Sequence, residues 1–176
     1  MWDRFITKKK PAVSGICILL LQRPLERFTT ERLNTAMQRG WRRQHDPQKF
    51  YALSIFDGEG ATVKFEDLFF GILHVDRRLD PQELGDRELP EWAIHSAYSR
   101  FEYKCPGGVP EGEVRQKIYG FMGLLCAELI TSQTVAIYFV EEHVLIQNNE
   151  VLSKKLRSGK PLNPVGLAKE VSSFSN

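Results

Sequence analysis

The sequence has 176 residues, of which 42% are hydrophobic and 26% are charged, and this composition is that of an ordinary globular protein. Lysine and arginine number 24 against 22 aspartate and glutamate residues, so the net charge of +2 creates no strong field for nucleic acid or anionic lipid. The three cysteines, Cys17, Cys105 and Cys126, are far apart and form no C-x-x-C pair. This spacing argues against a disulfide framework or a zinc knuckle and favours a reducing, cytoplasmic location.

The N-terminal region joins a basic stretch, residues 8–10, to an apolar run, residues 13–21, and so imitates a secretory signal. Gln22, Arg23 and Pro24 follow the run where a cleavage site needs small residues, and the run is too short to span a membrane as a helix. We therefore interpret residues 13–21 as a central β-strand that is buried on both faces, and we expect no membrane partner.

The first half of the chain continues with an amphipathic helix and a hairpin. Thr29 or Thr30 offers a hydroxyl N-cap, and apolar residues then recur at helical spacing. Residues 50–56 and 61–75 are predicted to pair as a hairpin with a bulge near Asp67, because turn-forming residues lie between them. The apolar positions of the helix are Leu33, Ala36, Met37, Gly40 and Trp41.

The second half follows a charged, proline-containing stretch, residues 76–91, which we interpret as a surface loop. Period-two alternation from His95 to Cys105 predicts a half-buried strand. A helix, two strands near 134–140 and 144–146, and a short helix at 150–157 are predicted next. The apolar stripe of the long helix consists of Val114, Ile118, Phe121, Met122, Leu125 and Leu129.

The two halves share the order strand, helix, strand, turn, strand. Their first strands begin near 13 and 94, their helices near 30 and 112, and their next strands near 50 and 134, so corresponding elements are about 82 residues apart. The predicted fold is α+β, with two similar βαββ halves, about 13–75 and 94–157, in one mainly antiparallel sheet and two long helices on one face. Residues 1–159 would form a single domain, followed by an extended or mobile tail, residues 160–176.

Several features resemble an uncharacterised bacterial family that is known only as a domain of unknown function. They are Trp92 followed by His95-x-Ala97 at the start of a strand, residues 136–139 followed by a turn and a short strand, and an apolar first strand before a helix containing Trp41. The resemblance implies a duplicated ferredoxin-like fold in a bacterial cytosol. It implies no known activity.

Catalytic chemistry has one candidate constellation. His74 and Asp76 share one face of a strand, and His95 opens another strand, so a site with two histidines and one carboxylate can be drawn. The spacing matches no metal motif, and no activated serine or cysteine is visible. A small metal- or histidine-dependent hydrolase that uses His74, Asp76 and His95 is the alternative function. Because these motifs are missing, however, we expect no catalytic residues, no bound metal and no cofactor.

The leading hypothesis is a non-catalytic bacterial protein-binding module, with an immunity-type inhibitor of a cognate toxin as one specific form. Its partner would be another protein or a second copy of the chain. Basic clusters at residues 8–10, 39–43 and 154–160 provide a second alternative, nucleic-acid binding, which we do not expect because no aromatic RNA-binding motif accompanies them. The predicted binding residues are Leu79, Leu84, Leu89 and Trp92.

Overall fold

Seven β-strands form one antiparallel sheet in the computed structural model, which describes residues 15–105 and 107–173. The α+β class and the antiparallel sheet agree with the prediction, and the basic stretch at 8–10 lies outside the described residues. Along the sheet the strands are ordered β2-β3-β4-β5-β1-β6-β7. The strands are β1 (Gly15–Gln22), β2 (Phe50–Ile55), β3 (Gly60–Phe65), β4 (Leu68–Val75), β5 (Ala97–Lys104), β6 (Thr134–Phe139) and β7 (Val144–Gln147), and the helices are α1 (Thr30–Trp41), α2 (Gly112–Leu129), α3 (Glu150–Arg157) and α4 (Pro164–Ser173).

Strand β1 lies inside the sheet, between β5 and β6, and all eight of its residues are buried. Side chains alternate between the two faces of a strand, so burial on both faces requires a nearly unbroken apolar sequence. Ile16, Ile18 and Leu20 belong to the larger hydrophobic core, whereas Leu19 and Leu21 belong to a smaller one. The predicted two-sided burial of this strand is confirmed for the described residues.

The larger core contains residues of the sheet and of all four helices of the described chain. Helix α1 contacts α2, and α2 contacts α3. The N-cap of α1 is Thr29, which is one of the two caps that the sequence predicted. Its hydroxyl group accepts a hydrogen bond from the Arg32 amide. The helical residues buried in this core are Leu33, Ala36 and Met37 of α1, Tyr119, Met122, Leu125, Cys126, Ala127 and Leu129 of α2, Leu152 and Leu156 of α3, and Leu167 and Val171 of α4.

The smaller core lies on the second face of the sheet, under residues 76–96, which we call the connecting segment. The sequence indicated a solvated surface loop here, and this was wrong for its apolar residues. Leu79 and Leu84 are buried against Leu19, Leu21 and neighbouring side chains of the sheet. The charged residues between them remain exposed, so the high charge content of the segment concealed its apolar side.

The predicted hairpin strand at 61–75 is in fact two strands. Strand β3 ends at Phe65 and β4 begins at Leu68, because the chain reverses at Glu66, which has a positive φ of 52°. The first half is therefore βαβββ rather than βαββ. After α1 the chain enters at the outer edge of the sheet and progresses inward to β4, whereas after α2 it enters beside β1 and progresses outward to β7.

The predicted extended tail from residue 160 is wrong for the described residues, because residues 164–173 form helix α4. Asn163 precedes the helix, and its side-chain oxygen accepts hydrogen bonds from the amides of Val165 and Gly166. Leu167 and Val171 then lie one helical turn apart and are buried in the larger core. The proline and serine content suggested an open chain, but the apolar spacing determined the structure.

The buried surface of helix α2 differs from its predicted apolar stripe and is wider. Val114, placed on that stripe, is 54% exposed, whereas Gly120 is buried. A side-chain carbon at Gly120 would overlap the carbonyl oxygen of Lys160, and one at Gly123 would lie 3.1 Å from a methyl group of Leu156. These two glycines let α3 and the segment before α4 approach the helix closely.

Gly120→Ala should therefore lower the free energy of unfolding by about 1–3 kcal/mol, although alanine is the better helix former, because Lys160 must move to admit the methyl group. The matched control is Gly166→Ala in α4, where the nearest atoms would lie at an ordinary 3.6 Å. Urea denaturation measures both variants. Equal stabilities for the two variants would contradict the close contact.

Candidate protein-binding surfaces

Three of the four predicted binding residues meet at one place. Leu84, Leu89 and Trp92 line a cleft of about 340 Å³ between the connecting segment and strand β7. Leu79 does not take part, because it is buried in the smaller core, and the side chain of Leu84 is itself only 4% exposed. We call this the β7 cleft. Its apolar lining consists of Leu84, Leu89, Pro90, Trp92, Val144, Leu145 and Ala168.

The lining of the β7 cleft contains a polar pair, Tyr138 and His143. The hydroxyl group of Tyr138 lies 3.0 Å from Nδ1 of His143 and donates a longer hydrogen bond to the Glu83 carbonyl. Arg87 donates from Nη1 to the carbonyl oxygen of His143 at 3.0 Å. Burial raises the pKa of Tyr138, so the hydroxyl keeps its proton. These bonds attach the connecting segment to the β6–β7 turn and hold the two sides of the cleft together.

Strand β7 forms one lateral edge of the sheet. The Asn148 amide donates to the Val135 carbonyl, which fixes that residue pair as a hydrogen-bonded one. Hydrogen-bonded and non-hydrogen-bonded pairs alternate in an antiparallel ladder, so the backbone groups of Leu145 and Gln147 point outward, away from β6. Within the part of the chain that the structure describes, no hydrogen bond reaches these outward groups.

Strand β2 forms the opposite edge, and hydrogen bonds occupy the outward groups of Phe50 and Ala52 and the amide of Ser54. The side chain of Asn34 in α1 accepts from the Ala52 amide at 2.8 Å and donates to the Ala52 carbonyl at 3.1 Å. The hydroxyl group of Thr30 accepts from the Ser54 amide at 2.9 Å, and Asp46 bonds in both directions to the first residue of β2. Helix α1 thus replaces a neighbouring strand, and this edge is closed to strand addition.

A second surface lies on the part of the sheet's second face that the connecting segment does not cover. Strand register places Leu53, Thr62 and Gly71 side by side, and Phe69 and Leu73 flank Gly71 along β4. A solvated sheet face is normally polar, but the large apolar residues here are between 48% and 75% exposed. We call this the uncovered face. Its exposed apolar residues are Leu53, Phe56, Phe69 and Leu73.

The candidate histidines are buried and bonded at both ring nitrogens. His74 accepts from the Phe28 amide at Nε2 and lies 2.8 Å from the Ser99 hydroxyl at Nδ1. His95 accepts from the Leu79 amide at Nε2 and contacts the Ala93 carbonyl at Nδ1. Asp76, the third member of the predicted constellation, is exposed.

The bonding of His74 also decides what Ser99 can do. Because Nε2 accepts a backbone hydrogen bond, Nδ1 carries the proton of the neutral ring and donates it to Ser99. A base that activates a serine must accept from the hydroxyl, so this pair has the opposite polarity. Burial lowers the pKa of His74 to about 4 and also lowers the pKa of His95, which keeps both rings neutral.

The remaining potentially reactive groups are the three cysteine thiols, and their surroundings keep them protonated. Burial raises the pKa of the Cys17 thiol to about 12, and burial likewise raises the pKa values of Cys105 and Cys126. A thiolate is the nucleophilic form, so these thiols are unreactive at neutral pH. Among the described residues, no group of three or more histidine, cysteine, aspartate or glutamate side chains is placed to hold a metal ion.

Several basic residues of the predicted clusters form ion pairs. Arg43 pairs with Glu66, Lys155 with Glu170 at 2.6 Å, and Arg157 with Glu128 at 3.3 Å. The carboxylate partners compete with phosphate for these cations, so they weaken the nucleic-acid alternative. The helices of the described residues include none that is both long and apolar enough to cross a membrane.

Comparisons with protein-family models, curated proteins and solved structures find no match to this chain. The candidate surfaces therefore rest on its own residues. Sequence patterns selected Leu89 and Trp92, which line the β7 cleft, but did not select Leu145 and Gln147. The only local signal for the open edge was the short strand at 144–146, since strand order depends on contacts between distant parts of the chain.

Proposed function

We propose that this chain is a non-catalytic module that binds an extended segment of a partner protein along strand β7. The observation that carries the proposal is the outward, unpaired backbone of Leu145 and Gln147 beside an apolar cleft. An extended peptide offers the complementary alternation of N–H and C=O groups at the same spacing. Backbone hydrogen bonds would supply affinity, and one apolar side chain inserted between Trp92 and Leu145 would supply selectivity.

The same surface favours a rigid binding site over an adaptable one. Tyr138 and Arg87 attach the connecting segment to the β6–β7 turn, so the cleft is present before a peptide arrives. A preformed site avoids the entropic cost of ordering a loop on binding. The exposed fraction of Trp92 is 38%, which leaves an aromatic surface at the mouth of the cleft. Buried aromatic side chains are frequent energetic centres of protein interfaces.

An immunity-type inhibitor of a cognate toxin is one member of this functional class, and the identity of the bound protein distinguishes it from an adaptor. The proposal includes a cytoplasmic location, which the three free cysteines support. The hydrolase alternative loses support from the bonding of His74 and His95.

The duplicated, ferredoxin-like origin of the fold also remains a proposal. Corresponding elements support it, because α1 and α2 begin 82 residues apart, at 30 and 112, and β2 and β6 begin 84 residues apart, at 50 and 134. The central pair of strands, β1 and β5, is antiparallel, as a two-fold axis between the halves requires. The repeat is departed from in two ways: the first half has an additional strand, and β2 lies at the outer edge of the sheet whereas its counterpart β6 lies beside β1.

Photo-cross-linking in the native cells tests the binding proposal. Benzoylphenylalanine in place of Glu88, at the rim of the β7 cleft, should yield an adduct with another protein, whereas the same group in place of the exposed Lys117 on α2 should not. A second substitution, Gln147→Pro, removes an outward N–H without removing a bond to β6, so it should abolish the adduct. Gln147→Ala keeps the N–H and should retain the adduct.

The melting temperatures of both Gln147 variants show whether the fold is intact. Peptide mapping of the adduct should locate the cross-link in an extended stretch of the partner. An adduct that persists in Gln147→Pro, or equal labelling from positions 88 and 117, would refute strand addition at β7. An adduct with a second copy of this chain at position 88 would refute the proposed class of partner.

A further inference from the structure

We infer, on the basis of the proposed function, that the segment bound along β7 carries apolar side chains at consecutive positions rather than at alternate ones. A strand that is added to a sheet with one solvated face alternates between apolar and polar residues. The position of the β7 cleft relative to the two faces of the sheet favours a different sequence. It narrows the partner to proteins that expose an unbroken apolar stretch in extended form.

The β7 cleft reaches both faces of the sheet. Val144 and Leu145 are consecutive residues of β7, so their side chains point to opposite faces, and both residues line the cleft. Val144 packs against the larger core, whereas Leu145 packs against the smaller one. A single cleft that touches both faces must pass around the lateral edge of the sheet. The outward backbone groups of β7 therefore lie along the cleft, between its two sides.

Different elements form the two walls of the cleft. On the second face of the sheet the wall is the connecting segment, with Leu89 and Trp92. On the other side it is helix α4, which contacts β7 and contributes Ala168, a residue that packs against the larger core. A strand added at this edge would be covered on both of its faces. Strand β1, which is covered in the same way, has the nearly unbroken apolar sequence that such a position requires.

The ladder then assigns each partner residue to one wall. Side chains that lie directly opposite each other on neighbouring strands share a face of the sheet. The partner residue opposite Leu145 would face the connecting segment, and the next residue, opposite Val144, would face helix α4. A polar side chain at either position would be buried against apolar surface without a hydrogen-bond partner, which is unfavourable. Both positions therefore select apolar residues.

Helix α4 determines the size of the residue at the second of these positions. Ala168 has a small side chain, so its wall leaves room for an aliphatic side chain of the partner. Val165 precedes Ala168 by three positions, which makes the two side chains neighbours on the helix surface. Val165 is 45% exposed and continues the apolar surface of this wall.

Selection from a phage-displayed library of random linear peptides on the immobilised full-length chain tests the inference. A parallel selection on Gln147→Pro identifies the peptides that need the β7 backbone, because only these are lost with the outward N–H. Among them, peptides with adjacent apolar residues should be enriched at least about tenfold over peptides that alternate apolar and polar residues. Burial of one further aliphatic side chain raises affinity by at least that factor.

Ala168→Leu tests the wall on α4 separately. The larger side chain should fill that side of the cleft, so one of the two adjacent apolar positions in the selected peptides should shift to glycine or alanine while the other stays unchanged. Lys169→Leu is the matched control, because it adds the same side chain at an exposed neighbouring position and should leave the selected pattern unchanged. The melting temperatures of the variants show whether the fold is intact.

The outcomes separate the sequence class of the partner from strand addition itself. Selected peptides that are lost in Gln147→Pro but alternate between apolar and polar residues would overturn the inference and leave strand addition intact. A pattern that a folded Ala168→Leu variant leaves unchanged would also overturn it. If no peptide binds the wild-type chain better than it binds Gln147→Pro, strand addition at β7 is refuted, and the inference falls with it.

Discussion

Phe121→Ala should lower the free energy of unfolding by about 3 kcal/mol, because it removes the central ring of an aromatic cluster and leaves a cavity. The Phe121 ring stacks on Trp41 with centroids 4.7 Å apart and meets the Phe65 ring edge-on at 4.9 Å. Phe70 lies 5.5 Å away. These contacts join α1 and α2 to β3 and β4, so the loss affects several elements at once.

Urea denaturation measures this change, and Val114→Ala on the same helix is the matched control. Val114 is 54% exposed, so its truncation should alter stability by less than about 0.5 kcal/mol. A destabilisation below about 1 kcal/mol for Phe121→Ala would show that the aromatic cluster contributes little to the core.

The stability of the protein should decrease on acidification by about 3 kcal/mol through His74 alone. Burial, followed by the charge of Arg27, lowers the pKa of His74 in the folded state to about 4, against an ordinary value of 6.5. The unfolded chain therefore binds a proton more readily than the folded chain between these values. The contribution is complete above pH 6.5 and is lost as the pH falls to 4, at about 1.4 kcal/mol for each pKa unit.

Chemical denaturation at a series of pH values between 7.5 and 4 measures this dependence. His74→Gln is the comparison, because glutamine can accept from the Phe28 amide and donate to Ser99 without titrating. The difference in stability between wild type and variant should shrink steadily below pH 6.5. Because the carboxylates and His95 titrate in both proteins, they cancel from this difference. Parallel curves for the two proteins would contradict a depressed pKa at His74.

Local pattern was sufficient for the elements with one strong signal. The apolar run of β1, the N-cap at Thr29 and the helix at Glu150–Arg157 were all predicted from neighbouring residues. The reversal at Glu66 was not, since a glutamate with positive φ has no distinctive sequence signal and is stabilised by a hydrogen bond from its amide to the Lys49 carbonyl.

The candidate surfaces depended on information that local pattern does not contain. Leu89 and Trp92 line the β7 cleft and stay predicted binding residues, whereas Leu79 is buried because the connecting segment folds onto the sheet. The open edge at β7 follows from the order of strands, and the uncovered face follows from how far the connecting segment reaches. Both are properties of contacts between residues far apart in the chain.

The bidentate contact of Asn34 with Ala52 also limits how this protein can aggregate. A fibril with a continuous hydrogen-bonded ladder needs every molecule to accept a neighbour on two opposite sides. Within the described chain, the Asn34 side chain on helix α1 occupies backbone groups of the β2 edge. Lateral association of sheets would therefore stop after one further molecule has been added. Loss of the Asn34 amide would free the outward N–H and C=O groups of Ala52. Thr30 and Asp46 would still bind the Ser54 amide and Phe50, however, so the edge would open only when all three contacts are lost.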